Sequence, residues 1–211
     1  MRSRVWPVEL PGRLIDGGRL VLRPLERSDR AEFLELRQRN RDWLRPWDPT
    51  NPHGPTPTLS FAQALRKQRK QAAQGSLLPF VATVDGALAG QVNLSNVTLG
   101  AFYSCTVGYW VGQEFAGRGV APMMVAMAGD YAISAVRLHR IEINIRPENA
   151  ASLAVVRKLG LRDEGLRPRY LHIDGAWRDH RSFAVTTEEI GPGGLVGRLL
   201  AGATENGPTE G

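Results

Sequence analysis

The run from "FYSCTVGYWVG" through "HRIEINIRPEN" limits the possible folds more than any other part of the chain. It opens as a strand and passes through a glycine-rich turn, "GQEFAGRGVA". A helix follows, in which Val120, Met124, Met127, Tyr131 and Ala135 repeat at helical spacing. Then Ile141, Ile143 and Ile145 alternate with Glu142, Asn144 and Arg146, the period of a strand. Strand, helical crossover and strand make a parallel pair within one sheet.

The flanking segments add antiparallel partners. "RLVLRPLERSD" reads as a strand ending at Pro24, with Ser28 or Asp29 capping a helix through about Arg39 that turns Phe33, Leu34 and Leu36 inward. "NRDWLRPWDPTNPHGPTPT" is a loop or broken helix, and a second helix runs from near Thr58 to Gln74. Asp85–Gly86 and Asp174–Gly175 each join two strand-like runs, a hairpin signal. "NAASLAVVRKLG" is a short helix with Asn149 as N-cap and a stop at Gly160. The expected fold is α/β (α+β in some schemes): a strongly twisted mixed sheet of about six to seven strands with helices on both faces. One domain is expected over 1–189, and the Gly/Pro-rich stretch 190–211 is expected to be a mobile tail.

Composition narrows the setting. No apolar run is long enough to span a bilayer, the N-terminus lacks a signal-peptide core, and a single cysteine, Cys105, cannot form an internal disulfide. These point to a cytoplasmic protein. The net charge of +6 suits an anionic ligand as well as plain solubility. The basic run "RKQRK", Arg66 to Lys70, reads as a solvated helix face or a binding patch. No metal-ligand spacing, helix-turn-helix pattern or aromatic-basic strand motif is present, so neither a metal site nor sequence-specific nucleic acid binding is expected. A monomer or weak dimer is expected.

The glycines have a chemical use. A helix N-terminus offers unpaired N–H groups and partial positive charge, and glycine lets backbone close around an anion. Ala116, Gly117, Arg118, Gly119, Val120 and Ala121 can aim several amides at one pyrophosphate; a glycine-rich connector is the plainer alternative. Two phosphate loops fail the test. The Lys-Ser/Thr ending of a nucleoside-triphosphate loop is missing, and so is the third glycine of a dinucleotide fingerprint.

What remains, Glu114-Phe115-Ala116-Gly117-Arg118-Gly119, resembles the acetyl-CoA loop of the GCN5-related N-acetyltransferase family, Gln/Arg-x-x-Gly-x-Gly/Ala. Glu114 departs from the first position. "NAASLAVVRKLGL" resembles the family's Asn-x-x-Ser/Ala helix ending in Gly-Phe or Gly-Leu. "NRDWLRPWDP", "LSNV", "GYWVGQEFAGRG" and "YLHIDGAWRDHRSFAVTT" are similar to the branch that acetylates ribosomal-protein N-termini, over about Arg19 to Glu188. The resemblance implies acetyl-CoA as cofactor and a protein N-terminus, of a ribosomal protein in this branch, as acceptor. It implies the loop amides for the diphosphate, Asn149 for the pantetheine arm, Ser152 near the thiol and Lys158 for a CoA phosphate. A backbone N–H near Trp110–Val111 would meet the developing oxyanion. Many relatives place a tyrosine four residues after the Ser152 position as acid; Val156 stands there, so Ser152 is the candidate acid.

Direct attack needs a neutral amine. An α-amino group, pKa about 7.7–8.0, is neutral to roughly a tenth or more near pH 7, while lysine, about 10.4, is neutral to under about one part in a thousand. An N-terminal acceptor therefore needs only a weak base, and His172, His180, Glu142 and Glu164 are the candidates. Trp43, Trp47, Asp48 and Tyr170 are candidates for the acceptor site, with Asp48 able to hold an ammonium. Two alternatives stand beside this: a small-amine acetyltransferase of the same fold, and a basic RNA- or ribosome-binding module with a vestigial CoA site.

Overall fold

The computed structural model describes residues 6–54 and 59–205. Eight strands form one sheet in the order β1-β2-β3-β4-β5-β6-β8-β7. They are β1 (Leu10–Arg13), β2 (Arg19–Arg23), β3 (Leu77–Val84), β4 (Ala87–Thr98), β5 (Ser104–Val111), β6 (Arg140–Ile145), β7 (Arg162–Ile173) and β8 (Ala176–Thr186). The only parallel pair among them is β5–β6, joined by helix α4 (Val120–Ser134), as the crossover pattern requires. Both expected hairpin turns form, with Asp85–Gly86 and Asp174–Gly175 all at positive φ. The strand missed by sequence is β1, a four-residue edge whose Pro11 and Gly12 hide the strand pattern.

Helices cover both faces. On one side α1 (Arg30–Arg39) and α3 (Phe61–Ala73) enclose Leu25, Leu36, Leu65, Val81 and Leu88. The expected start of α3 near Thr58 lies outside the described residues; the helix is capped by a reciprocal Ser60–Gln63 box. Asp29 does precede α1, yet its carboxylate does not cap it. It binds the Arg23 guanidinium at 2.8 and 2.9 Å and the Glu26 amide at 2.7 Å, closing the turn between β2 and α1. A short helix α2 (Arg41–Leu44) and a 3-10 turn through Trp47 fill the Trp/Pro segment.

The other face holds α4, α5 (Ala150–Lys158) and α6 (Gly194–Glu205) over the main core. The stretch expected to be a mobile tail is largely α6, and the reason is α4. Residues Val120 to Ala132 are buried almost without interruption, so α4 needs cover on more than its sheet side. Leu195 and Leu199 supply that cover and are buried. A side chain on Gly129 would come within 2.7 Å of Leu195, so this glycine permits the close approach. Asp130 of α4 accepts from the Leu195 and Val196 amides at 2.6 and 3.0 Å, satisfying the first turn of α6. Arg198 donates to Leu159 O and Gly160 O, carbonyls at the end of α5.

Candidate active site

The parallel pairing of β5 and β6 covers only Ser104–Thr106 against Arg140–Glu142. Beyond it the strands part, while β5 stays paired to β4 as far as Val111. Backbone direction along β5 alternates, and Gly112 N–H donates to Ala89 O on the β4 side at 2.9 Å. Val107, Tyr109 and Val111 therefore turn their main-chain groups to the open gap. One is already taken: Val111 O accepts from the Trp43 indole at 3.1 Å.

At the mouth of this gap the chain makes a 3-10 turn (Gln113–Phe115) and then enters α4. Ala116 N–H donates to Gln113 O, so its amide is spent inside the turn and not available to a ligand as expected. Among the described residues, the amides of Gly117, Arg118, Gly119, Val120 and Ala121 have no protein acceptor. Pro122 comes next and has no N–H to offer. Gly117 and Gly119 both sit at φ +79°, and a Cβ on either would meet nothing within 4 Å. Their hydrogens thus face open space, and the conformation favours glycine. Five free donors, no side chain over the glycines and a helix N-terminus fit a diphosphate. Arg118 adds charge but shares it with Asp16, at 3.2 Å.

Sequence reading missed how this loop is held. Buried Asn40, at the end of α1, accepts from Gln113 N–H at 2.7 Å and donates to Glu114 at 3.1 Å. Glu114 also pairs with Arg39 at 2.9 Å. The residue that departs from the loop pattern is thereby a strut from the loop to α1. An asparagine at a helix end is ordinarily read as a cap, so nothing in the sequence marked it.

The α5 end of the gap carries Asn149 and Ser152. Asn149 Oδ1 accepts from the Ser152 amide at 3.0 Å, a true N-cap, which leaves its Nδ2 without a protein acceptor among the described residues. Lys158 is exposed at the far end of the same helix.

On the opposite face of the sheet the Trp/Pro segment is fastened to distant strands. Arg146 donates to Pro46 O at 2.6 Å, and its guanidinium lies 5.3 Å from the Trp47 ring centre. Pro49 bridges Ile173, Thr50 N–H donates to His172 O, and Gly175 N–H donates to the Thr50 hydroxyl. Asp48 is ion-paired with Arg37 at 2.7 Å, so its carboxylate is not free to hold an ammonium. Tyr170 accepts from Arg167 at 3.1 Å and meets buried His180 edge-on.

The polar side of β6 is also enclosed. Glu142 binds Arg140 and Arg167, and Asn144 donates to it at 3.0 Å. Burial pushes its carboxyl up, but these partners outweigh that and hold it below the ordinary range. Glu164 pairs with Arg140 and Arg162 and is held down at about 2, chiefly by Arg140. Burial keeps His180 below its usual value, with Nδ1 against Arg178 O. His172 bonds Thr50. Each carboxylate put forward as a base is committed to arginines.

The family model of the acetyltransferase (GNAT) domain matches residues 19–162. The chain belongs to the GNAT acetyltransferases. It is 33% identical to the ribosomal protein uS5 alanine N-acetyltransferase of Escherichia coli, over 83% of this chain and 91% of that one. It is 39% identical to Mycobacterium smegmatis RimJ, solved in complex with CoA-disulfide, with a TM-score of 0.87 over 94% of this chain and 96% of that one. A spermidine N(1)-acetyltransferase of Escherichia coli is 26% identical over 75% of this chain and 81% of that one.

The fold is the GNAT fold expected from the sequence, with eight strands in place of six to seven. Acetyl-CoA is the acetyl donor of this enzyme class. When bound, it supplies the activated thioester. No helix among the described residues is long and apolar enough to cross a membrane.

Proposed function

We propose that this GNAT enzyme acetylates the N-terminal α-amino group of a protein, specifically a ribosomal protein, in the cytoplasm. The observation that carries the reading is the acceptor side itself. Asp48 and Glu142, the carboxylates put forward there, are both ion-paired. A polyamine or aminoglycoside, carrying several ammonium groups, would need carboxylates that are not already neutralised. An N-terminus brings one amine, already neutral to roughly a tenth near pH 7, and asks for no strong base. The similarity to enzymes named for ribosomal-protein alanine acetylation points the same way.

In this reading the free loop amides from Gly117 to Ala121, with Arg118, hold the diphosphate. Asn149 Nδ2 donates to the pantetheine arm, and Lys158 reaches a phosphate. Val111 lines the gap, and its N–H, turned to the open edge, meets the carbonyl oxygen as negative charge builds, whereas Trp110 turns its main chain to β4 and its ring to Phe33 and Arg37 on the α1 side. Ser152 faces the sulfur. Trp43, Trp47 and Tyr170 wall the entry for the acceptor, with Asp48 fixing that wall through Arg37.

A thiol-release assay tests this. Peptides beginning with Ala, Ser or Met and polyamines such as spermidine are each offered with acetyl-CoA. Turnover of peptides with polyamines at background is the expected result, the rate rising with pH through about 7.7–8.0 as the amine loses its proton. Turnover of polyamines alone would replace the reading with the small-amine one.

A further inference from the structure

Three buried side-chain polar atoms lack a hydrogen-bond partner among the described residues: Gln68 Oε1 on α3, Arg178 Nε on β8 and Tyr109 Oη. Tyr109 alone stands in the donor gap. It lies on β5 three residues past Thr106, the last residue paired with β6. Its ring packs on the main core, the α4–α5 face of the sheet. Ser152, in the first turn of α5, is near enough to ease the phenol's ionisation a little, but the two hydroxyls are not in hydrogen-bond geometry, so the Tyr109 proton is uncommitted among the described residues. Buried polar groups are nearly always paired, so a phenol left open in a protein that receives a ligand at that place points to an acceptor brought by the ligand.

We infer that Tyr109 is a catalytic residue that donates its hydroxyl hydrogen bond to the sulfur of the departing CoA. The inference rests on the acetyl-transfer reading of the gap. Position favours sulfur over the carbonyl oxygen. The oxyanion donor is the Val111 main chain on the strand edge, whereas the Tyr109 hydroxyl stands on the core face with Ser152. Val156, one helical turn further along α5, is fully buried and has no proton to offer.

Chemistry sets the role as donor, not acid. Burial pushes the Tyr109 phenol up to about 12, against a smaller downward pull from Ser152. A thiol of ordinary acidity is much the stronger acid. The phenol therefore keeps its proton while the amine nitrogen bonds to the acetyl carbon and the C–S electron pair passes to sulfur. The acylated nitrogen releases one proton to solvent and sulfur takes one from it, so the balance closes without ionising Tyr109. What the hydroxyl supplies is stabilisation of charge on sulfur, larger at the transition state than in the thioester.

The experiment is an ultraviolet titration of the CoA thiol in the enzyme–CoA complex, comparing wild type with Tyr109→Phe, alongside steady-state kinetics with an Ala-initiated peptide. The thiol of bound CoA should titrate about one unit higher in the variant, a tenfold loss of preference for thiolate. The kcat should fall about 10- to 100-fold with the KM for acetyl-CoA within about twofold. A second protein carrying 3-fluorotyrosine at position 109, a stronger donor of nearly the same shape, should move the thiol in the opposite direction. An unchanged thiol titration in both, or a kcat within twofold of wild type in Tyr109→Phe, overturns the inference. Failure of wild type to bind CoA at all would be seen first in the same titration, and would overturn the acetyl-transfer reading beneath it.

Discussion

The two sides of the cleft are built from different materials. The donor side is main chain: ten consecutive residues, Gly112 to Ala121, expose five amides, and two glycines hold the required φ. The acceptor side is side chain. It is assembled by contacts between residues far apart in sequence, Arg146 with Pro46 and Thr50 with His172. A backbone site survives changes of side chain, which is why Glu114 can replace Gln or Arg and take up a structural bond to Asn40. A side-chain site depends on each of its members and on the strands that carry them.

Substitution should separate the two materials. Gly117→Glu gives the largest expected effect. It sets a carboxylate among the free amides, at a φ that side chains avoid. CoA affinity by calorimetry should fall at least about 100-fold, the loss expected when a like charge meets the diphosphate. The thermal midpoint should fall by only a few degrees, the cost of about 1–2 kcal/mol of backbone strain at that φ with no clash added to it. Undiminished affinity would remove the diphosphate from this loop.

Arg146→Ala should do the reverse. It takes away the hydrogen bond to Pro46 O and the cation over Trp47, so the Trp/Pro segment loses its fastening to the end of β6 and keeps those to the β7–β8 turn. The KM for peptide should rise about three- to tenfold, as expected for the loss of one or two contacts worth about 1 kcal/mol, while CoA affinity stays unchanged. An equal loss of both affinities would mean that the two sides are mechanically one.

The same distinction explains what could be read in advance. The central crossover, both hairpins and the glycine loop were legible because each is a local pattern whose period or turn chemistry states its geometry. Asn149 was legible as a cap because capping acts over three residues. Helix α6 was not, although its cause was in view: "VAPMMVAMAG" is apolar all round, and such a helix demands a second cover. Gly129 and Asp130 together make the seat for that cover. Glu142 and Asn144 read only as the polar face of a strand, because alternation tells which side a residue takes and not what lies over that side. Their enclosure by Arg140, Arg167 and Ser182 is a product of the late hairpin folding back.

The smallest expected effect tests the donor side most closely, because it touches the loop's one cationic side chain and none of its amides. Asp16 holds Arg118 at 3.2 Å, and both side chains are over 40% exposed. The Gly18 amide, then Arg118, keeps the Asp16 carboxyl below its ordinary value. A carboxyl with a lowered pKa stays ionised above that value and loses its charge only as the pH falls through it. The pair is therefore intact throughout pH 5 to 8, and its influence on CoA should be flat across that range. Asp16→Asn releases Arg118 to the ligand, and an exposed ion pair exchanged for another is worth little. Affinity for CoA should rise by less than about threefold, by the same ratio at pH 5 and pH 8, with the gain shrinking as salt is added. A tenfold gain would show that Arg118, and not the main chain, governs the grip on the diphosphate.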